Sequence, residues 1–215
     1  MVRKSIFEII ENKYDIKEEI GKIDFLFKEA LLIVHYQLNF QQQQVCVETV
    51  IENGFFFAWK QRGSCLNCEE MRRKLGIDLT KYGLDDIIIR LEYYLNIINL
   101  ANTKLGYPNC QKTQQFVILE DNIKILLDHL NYEILMIEKE EKVLLVPKSP
   151  AATSVAEIST TETATAILMY NHTSLKGDLS QKQSLLLKLY LEYEKLLKNG
   201  IDGFSEYFDK TRGLV

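Results

Sequence analysis

Cys65 and Cys68, in the stretch GSCLNCEEMRRKL, are the residues whose type and spacing most invite a chemical reading. Thiols three positions apart can share a metal, cycle between dithiol and disulfide, or occupy the first turn of a helix. A structural zinc site needs four ligands, commonly supplied as two Cys or His pairs. The chain has four cysteines and three histidines, and no second pair is among them. Cys46 lies inside QQVCVETV, Cys110 stands alone, and His35, His129 and His172 are scattered. A metal reading therefore has to bring Cys110 and one further group to Cys65 and Cys68. A redox reading has better local physics, because unpaired amides and the helix dipole at a helix start stabilise a thiolate. A thioredoxin-like pair, however, sits beside a strand in a βαβ unit, whereas helices are expected on both sides here. Glu69 and Glu70 also disfavour a thiolate. The pattern predicts a structural role, two small thiols opening a short helix.

Other chemistry is less well supported. No G-x-S-x-G, H-E-x-x-H or phosphate-binding loop occurs, and no motif calls for a cofactor. Asp85 and Asp86 are adjacent, so their side chains diverge on a helix and make a poor dinuclear metal site. His172, Thr173, Ser174, Lys176 and Asp178 crowd the segment YNHTSLKGD. Their spacing is too tight for a triad converging from separate elements, and it fits a hydrogen-bonded connection turned by Gly177. Arg72, Arg73 and Lys74 could touch phosphates, and the helix–turn–helix texture of MRRKLGIDLTKYGLDDIIIRLEYYL loosely suggests a winged helix-turn-helix. The turn is long, however, and the helix that would enter a groove is too apolar. The aromatic run Phe55, Phe56, Phe57 with Trp59 offers a different function. A helix rotates about 100° per residue, so four large rings within five positions spread around its circumference and one should project from the side opposite the core.

The elements that position these residues are mainly helical. The chain has 215 residues, 47% of them apolar and 26% charged, with a net charge of -4. That composition is ordinary for a globular protein with its own core, and it gives no global field for coating nucleic acid. The N-terminal stretch carries charge throughout and no apolar core, so no secretory signal is read. The longest apolar runs are far too short to span a bilayer. The expected location is cytosolic, with reduced thiols. Only three prolines occur, at 108, 147 and 150, which suits long helices.

Asp15 with Glu18 makes a capping box for a helix carrying Ile16, Ile20, Ile23, Phe27, Ala30, Val34 and Leu38 at helical spacing. A second helix is expected over about Gln42 to Gln61, with Val47, Val50, Ile51, Phe57 and Ala58 inward. CEEMRRKLGI reads as a short helix stopped by Gly76. Leu84 to Leu100 reads as a helix apolar nearly all round, hence central. Another faces inward through Phe116, Leu119, Ile123, Leu126, Leu127 and Leu130. NYEILMIEKEEKVLLVPK then has two short apolar runs about a charged centre, a β-hairpin with its turn near Lys139 to Glu141. Ser149 and Pro150 start a short helix, and Ser159 with Glu162 caps another. Asp178 with Gln181 caps a long last helix, whose face carries Leu185, Leu186, Leu189, Tyr193, Leu196 and Leu197 and which stops at Asn199-Gly200.

The sequence thus predicts a mainly α protein, a multi-helix bundle with one β-hairpin before the C-terminal helices. Residues 1–130 form the bundle and 131–200 the hairpin and the helices packed on it, expected together as one composite unit rather than two independent domains, and 201–215 is a tail. The expected role is association with a protein partner or a second copy, through Phe55, Phe56, Phe57 and Trp59, without catalysis, cofactor or membrane contact. The alternatives are a nucleic-acid-binding regulator using Arg72, Arg73 and Lys74, and a metal or thiol protein using Cys65, Cys68 and Cys110.

Overall fold

The computed structural model describes residues 15–29, 31–35, 42–104, 110–137, 141–150, 152 and 161–198. Helix α1 (Ile16–Glu29) opens at Asp15, whose Oδ1 accepts from the N–H groups of Lys17 and Glu18 at 3.0 and 3.3 Å, so two donors left free by the first turn are satisfied. It buries Ile20, Ile23, Asp24 and Phe27. The expected continuation through Val34 is corrected: the chain leaves the helix after Glu29 and enters strand β1 (Leu31–His35). β1 pairs antiparallel with β2 (Gln42–Cys46), Leu31 opposite Cys46 and His35 opposite Gln42. On its other side it pairs with β3 (Cys110–Lys112), Val34 opposite Cys110. The sheet order is β2-β1-β3. The physical reason is that LLIV is a continuous apolar run, compatible with either period, and partner strands from distant sequence decide it.

The long second helix is corrected as well. Helix α2 occupies only Val47–Gly54, and two 3-10 turns follow, Phe56–Ala58 and Lys60–Arg62. Cys46, expected in mid-helix, is the last residue of β2 and precedes α2. Val47 and Ile51 are buried as expected, whereas Phe57 and Ala58 are exposed. A run of four aromatics and Gly54 is poor material for continuing a helix, because bulky β-carbons lose rotamer freedom and glycine adds backbone entropy.

The following helices and the hairpin form where the sequence places them, although Leu130, expected to face inward, is a half-buried helix cap. α3 (Cys68–Lys74) ends before Gly76, which takes φ 70°, the left-handed conformation that glycine reaches without strain. α4 (Leu84–Lys104) buries residues on every side, from Ile87 and Ile88 through Leu91, Tyr93, Tyr94 and Ile97 to Ala101. It is the central helix. α5 (Gln114–His129) is capped by Thr113, whose hydroxyl accepts from the Phe116 N–H; it buries Phe116, Leu119, Ile123, Leu126 and Leu127 and packs along α1. β4 (Tyr132–Ile137) and β5 (Lys142–Pro147) then form a two-stranded sheet, the β-hairpin expected from the two apolar runs. The chain is mainly α, with this hairpin placed before the C-terminal helices.

Compactness divides the chain into Met1–Leu144 and Leu145–Val215, the division falling inside β5. In the second unit the Ser149 hydroxyl accepts from the Ala152 N–H at 3.4 Å; the helix expected beyond it, and Ser159, lie outside the described residues. α6 (Thr161–Met169) packs on α7 (Leu179–Lys198), and Asp178 Oδ1 accepts from the Gln181 N–H at 2.9 Å, the cap read from sequence. Leu185, Leu189 and Tyr193 are half-buried, whereas Leu186, expected on the same covered face, is exposed. Ala30, Leu38, Lys139, Asn199-Gly200 and the 201–215 tail lie outside the described residues. Among the described residues no helix is long and apolar enough to cross a membrane.

Candidate functional site

The C-x-x-C segment is positioned by its own helix start. Asn67 is the N-cap of α3, its side-chain oxygen accepting from the Glu70 N–H at 2.7 Å, while a Glu70 carboxylate oxygen accepts from the Leu66 N–H at 2.8 Å. This reciprocal arrangement is the physical content of the motif: Asn67 satisfies a donor that the first turn leaves free, and Glu70 three residues later satisfies the amide just before the cap. The Leu66 amide, then Lys74, hold the Glu70 carboxyl below its ordinary range. Cys65 and Cys68 are both buried, at 5% and 1% exposure.

Around Cys68 three elements converge. The Cys68 N–H donates to Glu52 Oε1 at 2.7 Å. Tyr93 of α4 donates its hydroxyl to Glu48 Oε1 at 2.5 Å, and Arg72 Nη1 donates to that same oxygen. The Cys68 thiol is in hydrogen-bond contact with the Tyr93 hydroxyl. Glu48 and Glu52 lie on α2, so carboxylates four residues apart on one helix face meet α3 and α4. Burial pushes the Cys68 thiol up to about 12; the Tyr93 bond opposes this and the Glu48 and Glu52 carboxylates reinforce it. Burial, then Glu48, raises Tyr93 as well. For Arg72, burial works against the charge and the Glu48 carboxylate overrides it, keeping the guanidinium protonated.

These environments decide what the cluster can do. A nucleophilic or redox-active cysteine needs its thiolate, and Cys68 is enclosed, protonated and flanked by carboxylates. The acids that disfavour its ionisation are Glu48 and Glu52, not the Glu69 and Glu70 singled out from the sequence. Cys110 stands in β3 opposite Val34. Among the described residues no group of three or more His, Cys, Asp or Glu is arranged to hold a metal ion. The arrangement acts as a polar clamp that fastens α3 to α2 and α4.

The same contacts bear on the basic trio. Arg72 is turned to Glu48, Lys74 Nζ lies 3.0 Å from both Glu70 Oε1 and the Ser64 hydroxyl, and Arg73 is exposed. α4, which would have to read a groove, is buried along most of its length. Arg72 and Lys74 are therefore engaged with the chain's own groups.

The aromatic segment separates by turn geometry. Phe56 and Trp59 are buried and meet edge to face, 6.2 Å between ring centroids. Phe55 is half-buried, and Phe57 stands out at 67% exposure. Arg62 holds this loop: its Nε donates to the Phe57 carbonyl at 3.1 Å, its Nη1 to the Gly63 and Cys65 carbonyls, and its guanidinium lies 5.5 Å from the centre of the Phe57 ring. One ring projects, as the sequence suggested, but from a 3-10 turn.

A larger apolar surface lies on α7, where the sequence led us to expect a covered stripe. Leu179, Leu186, Leu187, Tyr190 and Leu191 are all exposed, Leu179 at 72% and Leu187 at 58%. Their spacing confines them to a sector of roughly 140° on the helix. The half-buried Leu185, Leu189 and Tyr193 occupy the adjoining sector of roughly 80°. The sequence signal was an α7 apolar on more than one side, and it was read as a single face.

The fold is mainly α, with the β4–β5 hairpin before the C-terminal helices. Comparison of the chain with protein-family models, with curated proteins and with solved structures finds no match.

Proposed function

We propose that this protein acts by association, as a non-enzymatic interaction or assembly component, and that α7 carries the contact. The observation that supports the reading is the exposed row Leu179, Leu186, Leu187, Tyr190 and Leu191. Contiguous apolar surface of this kind marks interaction sites in soluble proteins, and a central aromatic residue with a polar tip, here Tyr190, is a common energetic anchor. The Tyr190 hydroxyl donates to Glu194 at 2.6 Å, so its ring is held at the surface by its own helix.

The test is light scattering after size-exclusion chromatography over a wide concentration range, on wild type, Leu187→Glu and Phe57→Ser. It is paired with photocrosslinking in cells from position 187 and, as a control, from the exposed position 195. The expected result is a mass above the monomer or a discrete protein crosslinked from 187. Leu187→Glu should abolish either signal with helicity unchanged, and Phe57→Ser should have the smaller effect. Monomeric wild type at every concentration, with the same crosslinks from 187 as from 195, would overturn the reading.

A further inference from the structure

We draw no further inference here: the strongest candidate, the exposed apolar side chains Ile118 and Ile125 of α5 and Ile134 and Met136 of β4, is an unpartnered face of the helix–hairpin unit, and nothing in the structure shows what covers it.

Discussion

Arg90 is completely enclosed, and its guanidinium is divided among three partners. Nη1 donates to Asp24 Oδ2 at 2.7 Å, and Nη2 donates to the carbonyls of Asp78 and Lys81 at 2.6 and 2.7 Å. Asp24 also accepts from the Tyr94 hydroxyl at 2.8 Å, while Tyr94 stacks on Phe27 with centroids 3.8 Å apart. One buried charge thus joins α1, α4 and the loop between α3 and α4. Removing one partner of such a pair leaves the other ion desolvated without compensation. Asp24→Ala should therefore lose about 3–5 kcal/mol in urea unfolding, and Asp24→Leu combined with Arg90→Met should recover much of it. If the effects of Asp24→Leu and Arg90→Met, each measured alone, simply add in the double variant, the pair is not coupled. Cys68 gives a pH prediction. Its folded value of about 12 lies above the ordinary 9.0, so from pH 9 upward the unfolded chain releases a proton that the folded chain keeps, and stability falls. The contribution is complete below pH 9. Tyr93 and Tyr94, both raised chiefly by burial from 10.0, act in the same direction at higher pH. The urea midpoint should be flat to about pH 8.5 and decline above 9, and Cys68→Ala should weaken the first part of that decline. A midpoint unchanged between pH 9 and 10.5 would contradict the enclosed-thiol assignment.

At the scale of elements, the hairpin is fastened to the central helix by a side chain that imitates a strand. The Asn96 Nδ2 group donates to the Val143 carbonyl at 2.7 Å, and the Val143 N–H donates to Asn96 Oδ1 at 2.9 Å. The outer edge of β5 is sealed at that position by one amide of α4, which deals with the usual liability of an open strand edge. Asn96→Leu removes both bonds at once and leaves a buried N–H and C=O unpaired, a loss of roughly 2–4 kcal/mol. The Val143 amide should then exchange with solvent faster than its neighbours relative to wild type. Equal protection in the variant would mean that the hairpin is held by its apolar face alone. α3 shows the complementary case, an element of seven residues too short to persist by itself. It is kept in place by Glu52 at its first amide and Glu48 at Arg72.

For the molecule as a whole, the division at Leu144 and Leu145 predicts how truncations behave. A fragment of residues 1–130 lacks Tyr132, Val143 and Leu144 from the core of the first unit and deprives Asn96 of its partner. Calorimetry should show no sharp transition for it. A fragment of residues 1–149 completes β5 and should retain a cooperative melt. A sharp transition for 1–130 would mean that the bundle is sufficient without its hairpin.

The sequence by itself determined the capped helix starts at Asp15 and Asp178, the stop at Gly76, the central helix from its apolar circumference, and the hairpin from two short apolar runs about a charged centre. Each of these is a local signal: a side chain reaching an amide two or three residues away, or an apolar pattern and its charged or glycine boundary within one short window. The C-x-x-C was read as a helix start, and the Asn67 and Glu70 contacts that make it one lie within five positions. Tertiary structure alone decided the rest. LLIV became a strand because it pairs with QQQVC on one side and with Cys110–Lys112 on the other, and no local window contains both partners. Glu48 and Glu52 could be placed on one helix face from their spacing, but that this face meets Cys68 and Tyr93 depends on how three helices pack. The row on α7 was readable as apolar, yet which of its sides is covered is a property of its neighbours, because hydrophobic burial is proportional to area removed from water and carries no direction of its own.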